Sequence, residues 1–519
     1  MTSAEALLAR HERLCFQRAF PKNTRELRRA ERELADFERL AARHRDQLRD
    51  TGIAGTTYHY PFNHAMARWL RERYGRAVEI DWPAYRRRPG GDDVADLLAL
   101  FVAPAENEGI DDEDLPSWDW IRAAKGTRDR RTDLAWVLDV LAAQRLPPQV
   151  ESHLFEALNV QILWDLAGCR DAVTHARLPA RPFFHRTLLT GRPDDFRREV
   201  LRAPGALQPL SPARADRVIH AARAALSQRE REFHVIVHGH RREVYRVDAG
   251  RGLDIYVIGL HPAERLTLES DYGALLVKNG VPIGYGYGVV LLDRVDVGIN
   301  VFPTYRGGES AYVLHRFCAV FHHHFGARKF VVRRYQVGWQ NPEGIEAGSF
   351  WFYYKLGFRP LSAAVRRRAE EERARLERRG AGARSRPEVL KALARSDVFL
   401  ATDGTSPEAF RDLDLKRVGL AVTRLIRTHC GGDRPRALRE AVRRVAVALR
   451  QPARAVPERL APVAALVRDL ARWEPAERRA LAGLLRAKEG PRERAFVLAM
   501  LRHTRWRRWL LETFPGPRG

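Results

Sequence analysis

Apolar residues recur every three or four positions through the first fifty residues. Leu7, Leu8, Leu14 and Phe16 come first, then Leu27, Leu34, Phe37, Leu40 and Ala41 within a charged run from Thr24 to Asp50. This period predicts two helices, interrupted at Pro21 because proline cannot continue a helix. A further helix is expected over His64–Tyr74, preceded by the aromatic patch Tyr58-His59-Tyr60-Pro61-Phe62, which reads as packing at the helix start. The stretch Ala105 to Trp120 is acidic and proline-interrupted and reads as a loop. Its carboxylates do not follow the alternating spacing of a calcium loop. Helical patterning resumes from Asp133 to Leu166 and again from Ala213 to Glu230.

From Phe233 the pattern becomes strand-like. His234–His238, Glu243–Val247 and Leu253–Ile258 are β-branched and aromatic runs bounded by glycines, and Gly273–Lys278 leads into Asn279-Gly280, a type I′ hairpin dipeptide. Ile283–Leu292 and Val295–Phe302 continue the sheet. A helix over Glu309–Phe325, a strand over Phe330–Tyr335 and a helix over Ile345–Leu356 follow, then a short segment Phe358–Leu361. Ala363–Arg379 is almost wholly charged and reads as a solvated helix ended by Gly380-Ala381-Gly382; from Pro387 onward the pattern is helical throughout.

A chain of 519 residues exceeds one ordinary core, and 45% apolar residues is a globular composition. No apolar run is long enough to span a bilayer, the start lacks the basic and apolar regions of a signal peptide, and Cys15, Cys169, Cys318 and Cys430 form no CxxC pair. A reduced, cytoplasmic protein without membrane contact is expected. The formal net charge is +25, and beyond Pro360 there are 37 Lys and Arg against 19 Asp and Glu, about +18. Arginine-biased coding and attraction to a polyanion such as RNA both fit this excess. If the second holds, the contact belongs to the basic C-terminal region, although no zinc-finger spacing, RNP strand or GXXG loop accompanies it.

Two stretches carry candidate chemistry. In Val301-Phe302-Pro303-Thr304-Tyr305-Arg306-Gly307-Gly308-Glu309-Ser310-Ala311 a strand turns into a helix through two glycines. Unpaired N–H groups and the positive dipole end at that helix start suit a phosphate, with Arg306 adding charge. In Phe350-Trp351-Phe352-Tyr353-Tyr354-Lys355-Leu356-Gly357-Phe358, Tyr353 lies near the end of an aromatic helix, where a phenol can donate a proton to a departing thiolate. Trp351, Phe352 and Tyr354 read as packing residues. His322, His323 and His324 are consecutive on a helix and face different directions, so they read as helix surface rather than metal ligands, and Cys318 reads as core.

Together these stretches resemble the GNAT-type N-acetyltransferase superfamily. Val301, Pro303, Tyr305, Arg306, Gly307 and Ala311 fall in register with the family's turn, and Tyr353, Gly357 and Phe358 with the end of its later helix. The resemblance covers about residues 230 to 361. It implies a mixed, mostly antiparallel sheet flanked by helices, an α/β (α+β) domain over 231–361. Around it lie a mostly helical region over 1–230, a charged helical linker over 362–386 and a basic all-helical region over 387–519.

The resemblance also implies acetyl-CoA or another acyl-CoA as cosubstrate, held by Val301, Phe302, Arg306, Gly307, Gly308, Ser310 and Ala311, and direct transfer to an amine of unknown identity. Val301 and Phe302 are the nearest main-chain donors to the thioester carbonyl, and Tyr353 is the candidate acid. Asp296, Glu309 and Glu346 are the candidate bases. Three departures stand out: Glu309 replaces the family's usual glycine, Glu346 stands where asparagine is frequent, and only Phe358–Leu361 remains for the closing strands, so the last hairpin is either truncated or completed from elsewhere in the chain. Two alternatives share the sequence features: a transferase of the same fold using aminoacyl-tRNA as donor, and a catalytically degenerate module that binds RNA or scaffolds partners.

Overall fold

The computed structural model of this chain describes residues 3–110, 115–380 and 382–516. Asp111, Asp112, Glu113 and Asp114 of the expected acidic loop, and Ala381 after the charged helix, lie outside them. The fold is mixed α/β with two open sheets. The chain divides into two compact units, one comprising Met1–Arg186, Arg217–His238 and Asn279–Pro282, the other Thr187–Asp216, Gly239–Lys278 and Ile283–Gly519.

In the first unit the two expected helices are Ala4–Ala19 and Thr24–Ala42. Ser3 and Asn23 cap them, each side-chain oxygen accepting a first-turn N–H. The second helix buries Leu27, Ala30, Leu34, Phe37 and Ala41, the stripe that the helical period requires. Strands β1 (Thr57–Tyr60), β2 (Val78–Ile80) and β3 (Ile162–Asp165) form an antiparallel sheet in the order β1-β3-β2. Trp164 in the central strand pairs with Tyr58 on one side and Val78 on the other and is fully buried. His64–Tyr74, Asp133–Ala143 and Pro148–Ala157 contribute to the same core. Tyr58 is buried with its hydroxyl accepting the Glu230 N–H at 3.0 Å, so it packs as expected. Within the expected acidic loop, Pro104–Ile110 and Ser117–Lys125 are helical.

The second unit is built on a nine-stranded sheet. Its strands are β4 (Gln208–Pro209), β5 (Gly239–Asp248), β6 (Leu253–Leu260), β7 (Ser270–Lys278), β8 (Val281–Leu291), β9 (Arg294–Val301), β10 (Lys329–Val332), β11 (Arg359–Pro360) and β12 (Val398–Ala401), in the order β11-β12-β10-β9-β8-β7-β6-β5-β4. β9 and β10 run parallel, whereas β12 is antiparallel to both β10 and β11. Asn279 and Gly280 both have positive φ, 49° and 83°, as the type I′ turn between β7 and β8 demands. Gly286 and Gly288 of β8 lie under the helix Ser310–Phe325. A Cβ on Gly286 would come within 3.0 Å of the Phe317 ring and one on Gly288 within 2.1 Å of Phe321, so only glycine admits the helix this close.

Several expectations are corrected besides the acidic loop. The helical stretch expected over Asp133–Leu166 ends in a strand, β3, at Ile162–Asp165. His234–Val237 is a short helix, not a strand: Val235, Ile236 and Val237 are all buried, without the alternation of a half-buried strand, and tertiary burial overrides their β propensity. The strand expected over Phe330–Tyr335 ends at Val332, and Arg334–Val337 is helical. The helix expected over Ile345–Leu356 is two, Pro342–Glu346 and Ser349–Lys355, separated where Gly348 adopts the left-handed conformation. Most consequentially, the region after Pro387 is not all-helical: Val398–Ala401 enters the sheet as β12, antiparallel between β10 and β11.

The C-terminal helices share the second unit's buried charge. Arg265, Glu243, Lys488 and Glu493 have no side-chain exposure. The Arg265 guanidinium donates to the Lys488 and Gly490 carbonyls at 2.6 Å each and pairs with Glu243 at 3.2 Å, while Lys488 pairs with Glu493 and donates to the Glu269 carbonyl at 2.7 Å. Burial pushes the Glu243 carboxyl up to about 7.

Nearby, burial and the Glu269, Glu493 and Asp296 carboxylates push Asp271 up to about 7, and its solvent-inaccessible Oδ1 has no hydrogen-bond partner among the described residues. The folded state therefore keeps a proton on Asp271 that the unfolded chain releases near its ordinary carboxylate value. Its contribution is present below that value and lost as pH rises to about 7. Denaturant unfolding should show stability falling between about pH 4 and 7, with Asp271→Asn more stable than wild type at pH 8 by roughly 1–3 kcal/mol and little different at pH 4. Equal stability of the two proteins at pH 8 would contradict this assignment.

Candidate functional site

β9 outruns its parallel partner. Lys329, Phe330 and Val331 of β10 stand opposite Arg294, Val295 and Asp296, and β10 then ends at Val332, whereas β9 continues to Val301 alongside β8. The stretch 297–301 thus has a strand on one side only. Residues 294–298 are buried, and Ile299 and Asn300 become half-buried where the partner is lost. The Tyr353 phenol lies against the Ile299 backbone, which places it on the open edge of β9. Burial, reinforced by the neighbouring Cys318 thiol and only partly offset by the Ile299 backbone, holds the phenol well above its ordinary value, so it is protonated throughout the neutral range. Its ring packs edge-on against Phe358 at 5.7 Å.

Beyond Val301, Pro303–Tyr305 forms a 3-10 turn, and the Gly308 N–H closes back onto the Tyr305 carbonyl at 3.0 Å. The helix Ser310–Phe325 then begins with no side-chain cap. Its first helical donor is the Val313 N–H, bonded to the Glu309 carbonyl at 2.9 Å. The N–H groups of Ser310, Ala311 and Tyr312 are those that a helix start leaves for a ligand or water. Gly307 is exposed, a Cβ there would meet nothing within 4 Å, and its φ lies outside the left-handed region. Neither backbone strain nor packing requires this glycine, and its effect is to leave open space beside the turn. Val301 and Phe302 are buried, and the Phe302 N–H bonds the Ile283 carbonyl at 2.9 Å, so it is engaged in the sheet rather than offered to a thioester.

Glu309 turns away from the helix start. Its Oε1 accepts from the Leu189 N–H at 3.1 Å and from Arg251 Nε at 3.0 Å, and its Oε2 accepts from Lys278 Nζ at 2.6 Å, with no side-chain exposure. Burial pushes the Lys278 ammonium down to about 8, against the opposing pull of Glu309. A carboxylate held by a guanidinium and an ammonium leaves positive charge around the turn, so this geometry answers the repulsion of phosphate that its position in sequence suggests. It is also a poor candidate for a base. Arg251 and Lys278 escaped the sequence reading because they lie 58 and 31 residues before Glu309 and meet it only through the sheet register, in which Lys278 pairs with Leu253.

Arg306 donates from Nε to the Val301 carbonyl at 3.2 Å and pairs with Glu343, both side chains being 44% exposed. Glu346 is exposed at the end of Pro342–Glu346, and no hydrogen bond or ion pair among the described residues ties it to Tyr353 or the turn. Asp296 is bound between Arg294 and Arg333, and Arg333 also reaches Asp397, just before β12, at 2.9 Å. His322, His323 and His324 bond three different carbonyls, those of Ala327, Leu201 and Gly205, and Cys318 is fully buried with its thiol pushed up.

The structure thus brings together Tyr353, the β9 edge and the uncapped helix start, with Arg306 across the turn; it does not gather the three carboxylates. No family model matches the chain, nor does any characterised protein or solved structure.

Proposed function

We propose that the second unit is an acyl-CoA-dependent N-acyltransferase of the GNAT type. The observation that carries this reading is the Tyr353 hydroxyl on the Ile299 backbone, at the one-sided end of β9 and on the strand that leads into the uncapped Ser310 helix. The strand order around it also supports the reading, since β12 stands between β10 and β11 and the parallel pair β9/β10 separates beyond Asp296.

An extended pantetheine arm could lie along the free edge of β9, with the pyrophosphate on the Ser310, Ala311 and Tyr312 N–H groups and Arg306 beside it. The acceptor amine attacks the thioester carbonyl, forming the C–N bond. The tetrahedral centre then collapses with cleavage of C–S. Tyr353 hydrogen-bonds the leaving sulfur as C–S breaks, and the proton lost by the amine nitrogen balances the thiolate charge, leaving amide and free thiol. Because the thiolate is a weaker base than the phenolate, the phenol acts chiefly as a hydrogen-bond donor to the charge developing on sulfur.

Calorimetric titration with acetyl-CoA tests the cosubstrate. Binding in the micromolar range is expected, with Arg306→Ala weakening it roughly tenfold, the value of one charge-assisted phosphate contact. An absence of heat up to millimolar acetyl-CoA would remove the acyl-CoA reading.

A further inference from the structure

We infer that a groove between the end of the helix Leu415–Cys430 and the outer face of the helix Arg434–Leu449 binds the phosphodiester backbone of a nucleic acid. The groove encloses about 860 Å³, and its walls carry His429 and Cys430 on one side and Arg436, Arg439, Arg443 and Arg444 on the other, with Glu440 among them. The inference concerns a different surface from the acyl-CoA site and does not depend on that reading.

The sequence builds this face by helical spacing. The Arg434–Leu449 helix turns Ala437, Ala441, Val445, Ala446 and Leu449 into the core, which leaves the four arginines exposed on its other side. From Leu415 to Arg450 there are ten Lys and Arg against two acids, Asp433 and Glu440. Both acids are engaged locally. Asp433 caps the helix by accepting the Arg436 N–H at 2.9 Å, and Glu440 pairs with Arg443. The groove is therefore strongly positive, and its concavity sets several guanidinium groups around one volume. Guanidinium groups match phosphate oxygens in planar, bidentate geometry.

Arg436 and Arg443 are two turns apart, a rise of about 10.5 Å, along which a duplex presents roughly six phosphate charges. A lipid surface fits less well. Interfacial helices insert a continuous apolar face; here Arg434–Leu449 turns its apolar face inward, and Leu415–Cys430 buries Val418 and half-buries Leu415, Val422, Leu425 and Ile426, which leaves Leu420 and Val447 as the large apolar side chains exposed on these two helices.

The test uses the full chain and fluorescence anisotropy with a 20-nucleotide single-stranded RNA, an RNA duplex and a DNA duplex at 50 to 300 mM salt. At 50 mM salt we expect micromolar binding to at least one of them, with a log–log salt slope near −3, as about three or four neutralised phosphates require. The triple variant Arg436→Gln/Arg439→Gln/Arg444→Gln keeps the buried face and the Arg443–Glu440 pair. It should weaken binding at least tenfold and flatten the slope by two or more. The charge-matched control Arg25→Gln/Arg28→Gln/Arg32→Gln, on exposed positions of another helix, should change binding less than twofold. Whichever probe binds most tightly identifies the phosphate source. Equal losses in the two variants, no binding at 50 mM salt, or tighter binding to phosphatidylserine vesicles than to every nucleic acid would each overturn the inference.

Discussion

Replacing Tyr353 with phenylalanine is expected to lower acetyl-CoA turnover by roughly 10²–10³ while leaving acetyl-CoA affinity within about twofold. The hydroxyl lies on the Ile299 backbone at the open edge of β9, and the ring packs on Phe358. Phenylalanine keeps the ring and deletes only the donor, so the loss should appear in kcat and not in thermal stability. Thiol release in the presence of a panel of primary amines and peptide N-termini provides the measurement. The pH profile adds a discriminating readout. Since burial holds the phenol above its ordinary range, wild-type rate should rise with pH as the acceptor amine loses its proton, without a fall from Tyr353 ionisation up to pH 9. Unchanged turnover in the phenylalanine variant would sink the assigned role.

Lys488→Met should cost about 3–5 kcal/mol of unfolding free energy. Methionine nearly matches lysine in volume, so packing around Phe496 persists. The substitution removes the ion-pair partner of the buried Glu493 and the donor to the part-buried Glu269 carbonyl. Arg265 stands 3.7 Å from Glu493 Oε2 and is already engaged with Glu243 and two carbonyls, so it cannot fully replace the ammonium. Chemical denaturation near neutral pH measures the loss. The double variant Lys488→Met/Glu493→Gln should recover a large part of it, because the uncompensated charge leaves with its partner. A single variant as stable as wild type would show that this pair contributes no net stability.

Much of the local structure was legible in the chain. The period of Leu27, Leu34 and Phe37 marks the second helix, the Asn279-Gly280 dipeptide marks the β7–β8 turn, and the helix His64–Tyr74 is expected and found with the same bounds. Local periodicity and turn chemistry act over a few residues, and those signals survive in a single sequence. Long-range partners do not. Nothing near Glu309 indicates that Arg251 and Lys278 will neutralise it, and nothing in Val398–Ala401, four residues inside a helical region, distinguishes a strand between β10 and β11 from a short apolar connector. The motif around Arg306 was legible as a helix start, but the one-sided end of β9 depends on where β10 stops, just before Arg333, whose partners Asp296 and Asp397 lie far off in sequence.

The late arrival of β12 has a consequence for biosynthesis. When Leu361 has left the ribosome, every strand but β12 has been made, and β10 still presents an unoccupied edge to the surrounding solution. About forty further residues must be translated before Ala401 emerges, an interval of roughly 2 to 8 seconds at ordinary elongation rates. An uncovered edge is a template for wrong pairing with other nascent chains. The helix Ala363–Arg379, extruded within that interval, carries seven Arg against four Glu, a net positive charge that disfavours close approach of neighbouring polypeptides before β12 covers the edge.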